Sequence, residues 1–121
     1  MPDTPAPSYF QSMKEDRRIP VHIGGVPGPE DAVLVEGMAA MPAWGHARRF
    51  TAPSTGHQPG CFCCAGRGPA ASAFSALYRD RAMGLAPYFR RVIVLASLPG
   101  QADVRAALEQ DAVTRARFRL A

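Results

Sequence analysis

The run Arg91-Val-Ile-Val-Leu-Ala96 constrains the fold more than any other part of the chain. It is continuously apolar, which is typical of a strand that is buried on both faces of a parallel sheet. A second strand is predicted at Ile19-Pro-Val-His-Ile23, where the proline lies near the start and its missing N–H donor is tolerated. Ala32-Val-Leu-Val35 is apolar but too short to distinguish a strand from a helical turn.

Two helices are predicted in the second half of the chain. Gly68-Pro69 opens the first, because proline is tolerated in a first helical turn. Residues 70–82 continue it with apolar residues at helical spacing, and the charged residues 79–81 lie mostly off that face. Pro99-Gly100 predicts a turn, and residues 103–110 predict the second helix. The segment 114–121 fits either an edge strand or a helical turn that leads into a strand.

The 12 prolines and 11 glycines cluster before residue 70, so the N-terminal half is expected to be loop-rich. Residues 1–17 combine prolines with polar and charged residues and predict a flexible arm. Residues 18–121 are then expected to form a single α/β domain, because strands alternate with helices and the length allows one modest core. From residue 37 to residue 60 no period persists, and we expect Trp44 and Phe50 to anchor this loop to the core.

Charge and hydropathy exclude two classes of partner. The net charge is +4, but the arginines are scattered rather than gathered in a stripe with aromatic platforms, so nucleic acid is not an expected partner. No apolar run approaches the roughly 20 residues that cross a bilayer. The N-terminus also lacks the apolar core of a signal peptide. These features predict a cytoplasmic protein with no membrane partner.

Cys61, Cys63 and Cys64 form the most distinctive chemical feature of the chain. An odd number of cysteines within four positions does not make a disulfide framework, which favours reduced thiols. Thiolates are soft ligands that suit zinc, copper(I) or nickel-like ions. His57 precedes them and would complete a tetrahedral zinc shell, whereas three thiolates alone would leave one position open. The alternative is that the cysteines are small buried apolar residues.

Two other histidines are weaker candidates. His22 lies in a predicted strand and is interpreted as a core or edge histidine rather than a metal ligand. His46 is expected to face solvent beside neighbouring arginines.

The segment Gly24-Gly-Val-Pro-Gly-Pro-Glu-Asp31 follows the first strand, as a phosphate-binding loop would. A working P-loop has the pattern G-x-x-x-x-G-K-[ST]. Here Glu30, Asp31 and Ala32 stand where glycine, lysine and a hydroxyl residue belong, and the acidic groups would repel phosphate. Pro27 and Pro29 also remove backbone donors. GTP is therefore not an expected cofactor.

The run Gly60-Cys-Phe-Cys-Cys-Ala-Gly-Arg-Gly68 resembles the G-C-x-C-C-x-x-R-G signature of the CobW-type P-loop GTPases, a family of metal-insertion and zinc-homeostasis proteins with HypB-like and UreG-like members. Ile19-Pro-Val21 is similar to the strand that leads into the family's P-loop. Phe89-Arg-Arg-Val-Ile-Val-Leu95 and Arg117-Phe-Arg-Leu120 are similar to later segments of the family. The resemblance covers roughly residues 19–121.

The resemblance implies a partial three-layer P-loop-NTPase-like unit with a small, mostly parallel sheet. It carries over the family's metal site as Cys61, Cys63 and Cys64. The family's P-loop lysine and threonine are replaced by Asp31 and Ala32, and its Glu-x-x-Gly element is absent after the apolar strand. The chain also ends before the family's guanine-recognition element. These departures imply a truncated, degenerate relative without a functional Walker A motif.

The leading hypothesis is a small cytoplasmic metal-binding protein, with zinc as the expected ion. Such a protein would resemble a metallochaperone without GTP hydrolysis, and its partner would be a metalloprotein client or a full-length CobW-like protein. One alternative is a GTPase-like protein that retains GTP binding. Another is a non-catalytic module that docks on a full-length relative through an open sheet edge. A decaying gene with no selected activity is the last alternative.

Overall fold

The computed structural model of the protein describes residues 16–51 and 68–121. Most of the predicted N-terminal arm and the whole cysteine segment therefore lie outside the described residues. The elements, in chain order, are β1 (Ile19–Ile23), β2 (Ala32–Glu36), β3 (His46–Phe50), α1 (Pro69–Ala82), β4 (Val92–Leu95), α2 (Leu98–Gln110), α3 (Ala112–Arg117) and β5 (Phe118–Leu120).

The five strands form one sheet in the order β3-β2-β4-β1-β5, and every pair is parallel. β4 is the central strand. Its residue Val92 is paired with Val21 on one side and with Ala32 on the other. Val92, Ile93 and Val94 are buried, because strands on both sides and packing on both faces remove them from water. The predicted α/β class and the predicted buried strand are thus confirmed, with a fully parallel sheet.

One face of the sheet packs against the helices. Alternate strand residues such as Val21, Leu34 and Val94 join Phe74 of α1 and Val104 of α2 in one core. Phe118 of β5 closes this core, with its ring centroid 4.8 Å from that of Phe74. Burial of such apolar side chains is the main stabilising term of the fold.

The opposite face is covered differently. A Cβ atom added at Gly25 would lie 4.0 Å from the side chain of Ile93, so the loop after β1 passes over the central strand. Within residues 16–51 and 68–121, α1 and α2 pack on one face and loops pack on the other.

The helix starts follow local capping chemistry. Gly68 precedes α1, and Pro69 lies in its first turn, as predicted. α2 begins at Leu98, five residues before the predicted start at residue 103, so the prediction of a turn at Pro99-Gly100 is wrong. The Ser97 side chain caps α2 by accepting from the Gly100 N–H, and Pro99 is tolerated because a first-turn N–H has no helical acceptor.

The loop predicted over residues 37–60 contains a strand, β3. It pairs with the buried strand β2 along its full length, and this backbone pairing holds it although its residues show no apolar alternation. Phe50 is buried as predicted, whereas Trp44 is 60% exposed, so the prediction that Trp44 anchors the loop is wrong. The C-terminal segment follows the second alternative, in which the helical turn α3 leads into the edge strand β5.

Among the helices of the described ranges, none has both the length and the apolar character needed to cross a membrane.

Candidate functional site

The four predicted metal ligands, His57, Cys61, Cys63 and Cys64, lie outside the described residues. The structure describes the two ends of the segment that carries them. Phe50 ends β3 at the carboxyl edge of the sheet, and Gly68 immediately precedes α1. In residues 16–51 and 68–121, no group of three or more histidine, aspartate or glutamate side chains is arranged to hold a metal ion.

Asp103 of α2 lies beside the start of α1. Its carboxylate accepts a hydrogen bond from the Ala70 N–H at 3.2 Å. A Cβ atom added at Gly68 would lie 3.7 Å from the same carboxylate. Burial raises the pKa of Asp103; the Ala70 hydrogen bond opposes this rise, and the negative charge of Glu36 adds to it. The segment that follows the cysteines therefore enters α1 next to an acidic group.

Glu36 ends β2 and occupies the N-terminus of α2. Its carboxylate accepts hydrogen bonds from the Ser97 N–H at 2.7 Å and from the Ser97 hydroxyl at 2.6 Å. A Cβ atom at Gly100 would lie 2.6 Å from the Glu36 carboxyl carbon, so a larger residue there would displace the Glu36 side chain. Helix N-termini attract anions, and here the chain supplies the anion itself.

The Glu36–Ser97 contact lies at a topological switch point. From β2 the chain continues to β3, at one edge of the sheet. From β4 it continues toward β5, at the opposite edge. Open parallel sheets bind ligands in the crevice that such opposed connections create at the carboxyl ends of the strands. An open groove of about 490 Å³ lies there, and Gly24, Ala39 and Gln101 are among its lining residues. The carboxylate of Glu36 gives this groove a negative group.

The glycine segment after β1 does not have the architecture of a phosphate loop. It runs from the carboxyl end of β1 directly into β2, whereas a phosphate loop opens a helix whose N–H groups face the phosphates. Gly24 and Gly25 adopt positive φ values of 84° and 124°, and the Gly24 N–H donates to the Val94 carbonyl. The loop is thus tied to the central strand of the sheet.

The carboxylate of Asp31, at the end of the glycine segment, is bound within the protein. Its carboxylate accepts from the Gly28 N–H at 2.7 Å and from the Arg91 guanidinium at 2.7 Å. The Arg91 hydrogen bond is the largest cause that lowers the pKa of Asp31, and the Gly28 hydrogen bond adds to it. Asp31 is therefore an ionised group that connects the end of the loop to Gly28 within the loop and to Arg91 before β4.

A second charged cluster joins β3 to α1. Asp80 is 2% exposed, and its two oxygens accept from the Arg48 guanidinium at 2.8 and 2.9 Å and from His46 Nε2 at 2.7 Å. The Arg48 hydrogen bond, with a smaller contribution from His46, lowers the pKa of Asp80 to about 2. His46 therefore does not face solvent as predicted, because it donates to a buried carboxylate. The cluster fixes the strand from which the cysteine segment departs.

Sequence reasoning missed Glu36 and Asp80, although the spacing carried a signal for both. Glu36 continues the alternation of Ala32 and Leu34 on the core face of β2. Asp80 follows the buried residue Leu77 by three positions and Ala73 by seven, which places it on the apolar stripe of α1 rather than off that face. A polar residue on a buried stripe indicates a partner across the interface.

A scan against protein-family models finds no match to the chain. Searches of curated proteins and of solved structures likewise find no match.

Proposed function

We propose that this protein is a small cytoplasmic zinc-binding protein that handles the ion without GTP hydrolysis, in the manner of an accessory metallochaperone. Cys61, Cys63 and Cys64 would supply thiolate ligands, and His57 would supply the fourth. The observation that carries the proposal is the presence of three cysteines within four positions of a glycine-flanked segment. Thiolate and imidazole ligands suit zinc, with bonds of about 2.3 Å to sulfur and 2.0–2.1 Å to nitrogen.

The described ends of the cysteine segment support this proposal. The segment connects the carboxyl end of β3 to the start of α1. Cys64 precedes Gly68 by only four residues in the sequence. Ligands bind at the carboxyl edge in open parallel sheets, and the connection from β3 starts at this edge.

The charges near that edge also favour a cation. Glu36 occupies the N-terminus of α2, and Asp103 lies beside Gly68. Burial is the main cause that raises the pKa of Asp103, and repulsion by the charge of Glu36 adds to it. A divalent cation nearby would relieve this repulsion, whereas a phosphate group would increase it.

The same features argue against a nucleotide. The glycine segment enters a strand directly, Asp31 holds the Gly28 N–H, and Glu36 holds the anion position at the N-terminus of α2. A nucleotide would have to displace these contacts and accept two carboxylates near its phosphates. This supports metal handling without the GTP-driven cycle of the CobW-type proteins that the cysteine motif resembles.

The proposed zinc ligands are of two kinds, three thiolates and one imidazole. Thiolate ligands are deprotonated when zinc binds, so binding releases protons and strengthens as the pH rises. A shell in which His57 dissociates while the three sulfurs remain would open one position for a ligand from a client protein. Transfer to such a client is the role that this ligand set fits.

The test is to purify the protein anaerobically, measure bound metal by mass spectrometry and determine the zinc affinity by competition with a chromophoric chelator. We expect one zinc per chain, and a loss of affinity of at least about tenfold when any one of the three cysteines is replaced by serine. His57→Gln should weaken binding, whereas His22→Gln is the matched control because His22 lies in β1, remote in sequence from the cysteines. Absence of stoichiometric zinc, or equal affinity in the serine variants, would contradict the proposal.

Nucleotide binding is tested separately with a fluorescent GTP analogue and magnesium. We expect no saturable binding at concentrations that saturate a working P-loop protein. Saturable binding that unlabelled GTP reverses would favour the GTPase alternative.

A further inference from the structure

Arginine side chains converge on a cleft that α1 and α3 border. The cleft has a volume of about 350 Å³, and Arg17, Arg18, Tyr78, Arg81 and Arg117 are among its lining residues. They come from the two residues before β1, from the end of α1 and from the end of α3. We call this site the arginine cleft.

Two of these arginines are held in fixed positions by aromatic rings. The guanidinium of Arg117 lies 4.2 Å from the ring centroid of Tyr78, and that of Arg81 lies 3.7 Å from the ring centroid of Tyr88. Arg81 Nε also donates to the Phe89 carbonyl at 2.9 Å. Stacking on an aromatic ring restricts a guanidinium and leaves its edge available for hydrogen bonds.

The charge of these two arginines is only partly compensated. In the part of the chain that the structure describes, no carboxylate lies within ion-pair distance of Arg81 or Arg117, whereas Arg18 is paired with Asp16 at 2.6 Å. Both lie in the last turns of their helices. A helix C-terminus carries a partial negative charge, which offsets part of the positive charge of Arg81 and Arg117.

From this geometry we propose that the arginine cleft binds a small molecule that carries a diphosphate or a comparably charged oxyanion. Guanidinium groups match such oxyanions because their planar N–H pairs donate two parallel hydrogen bonds. A cleft of this volume is at the lower end of the range for small-ligand sites. Its arginines surround one cavity, which suits a compact anion better than an extended polyanion. The proposal does not depend on metal binding by the cysteines.

The experiment is a calorimetric titration of the full chain with inorganic pyrophosphate at low ionic strength, about 10 mM, where the screening length is about 30 Å. We expect saturable binding that Arg117→Gln weakens about tenfold, since a charge-assisted hydrogen bond is lost. Arg105→Gln is the matched control, because it removes the same charge from an exposed position on α2 and should leave the affinity within about twofold.

A second variant keeps the test valid if Arg117→Gln unfolds the protein. Ala116 lines the cleft and is exposed, so Ala116→Glu adds a competing carboxylate without removing an arginine. It should abolish pyrophosphate binding, while Ala116→Gln should preserve it. Three outcomes would overturn the proposal: no binding of pyrophosphate, equal weakening by Arg105→Gln and Arg117→Gln, or binding of poly-glutamate or single-stranded DNA without binding of pyrophosphate.

Discussion

Replacing Asp80 with asparagine tests how β3 is held against the helical layer. The change keeps the shape of the side chain but removes the charge that Arg48 and His46 share. The pKa of Asp80 falls from its ordinary value of 3.8 to about 2 in the folded protein, chiefly because of the Arg48 hydrogen bond. Since one pKa unit corresponds to 1.36 kcal/mol, ionised Asp80 stabilises the fold by about 2 kcal/mol.

The sign of the pH dependence follows from the lowered pKa. The contribution of Asp80 is fully present above its unfolded pKa, near 4, and is lost as the pH falls through about 2. We therefore expect Asp80→Asn to lower the free energy of unfolding by about 2 kcal/mol at pH 7. The difference between the two proteins should shrink as the pH falls from about 4 to about 2.

The assay is urea denaturation of both proteins across this pH range, followed by circular dichroism. Glu109→Gln is the control, because Glu109 is an exposed carboxylate on α2 and should change the stability by less than about 0.5 kcal/mol. A difference below about 0.5 kcal/mol at pH 7, or one that stays constant down to the lowest pH, would show that ionised Asp80 does not hold β3 against α1.

Three further substitutions test other parts of the fold. Gly100→Ala should lower the free energy of unfolding by about 1–3 kcal/mol, because its Cβ atom displaces the Glu36 carboxylate from Ser97. In a Glu36→Ala background, Gly100→Ala should instead raise the free energy of unfolding by up to about 1 kcal/mol. A double-mutant cycle measured by urea denaturation would contradict this if Gly100→Ala changed the stability in the same direction in both backgrounds. Asp111→Ala should cost about 1 kcal/mol in thermal unfolding, because Asp111 caps α3 by accepting from the Thr114 N–H, and an unchanged Tm would count against that role. Phe118→Ala should cost about 3–5 kcal/mol, because the ring is fully buried beside Phe74, and a loss below about 1 kcal/mol would show that β5 does not close the core.

The parts of the fold that the sequence predicted are those with a strong local signal. The continuous apolar run around Ile93 predicted the central strand, because only burial on both faces makes such a run favourable. The Pro69 start and the helical spacing through Leu77 predicted α1. The order of these elements was enough to predict an α/β class.

The parts that the sequence did not predict depend on contacts between distant segments. β3 has no apolar alternation, since Arg48 and Arg49 are adjacent, and it exists because its backbone pairs with β2. The early start of α2 depends on the Ser97 cap and on Glu36, which is 61 residues away in the sequence. A local pattern does not contain the partner of such a contact, so propensity alone predicted a turn at Gly100.

The candidate site also has features that the sequence predicted and features that it did not. The cysteine motif was evident from the sequence, because three thiols at close spacing suit one kind of chemistry. Glu36 at the start of α2, Asp103 beside the start of α1, and the arginine cleft on another surface could be found only from the three-dimensional arrangement. The first of these surfaces is locally negative and the arginine cleft is locally positive, and the net charge of the whole chain shows neither.

X-ray absorption spectroscopy of the zinc-loaded protein tests the central proposal most directly, because it counts the sulfur atoms around the metal. The proposal predicts three sulfur neighbours at about 2.3 Å and one nitrogen neighbour at 2.0–2.1 Å. In Cys63→Ser, the sulfur count should fall to two. A zinc shell made only of nitrogen and oxygen atoms, or one that is the same in the wild-type protein and in Cys63→Ser, would contradict the proposal that these thiols hold the metal.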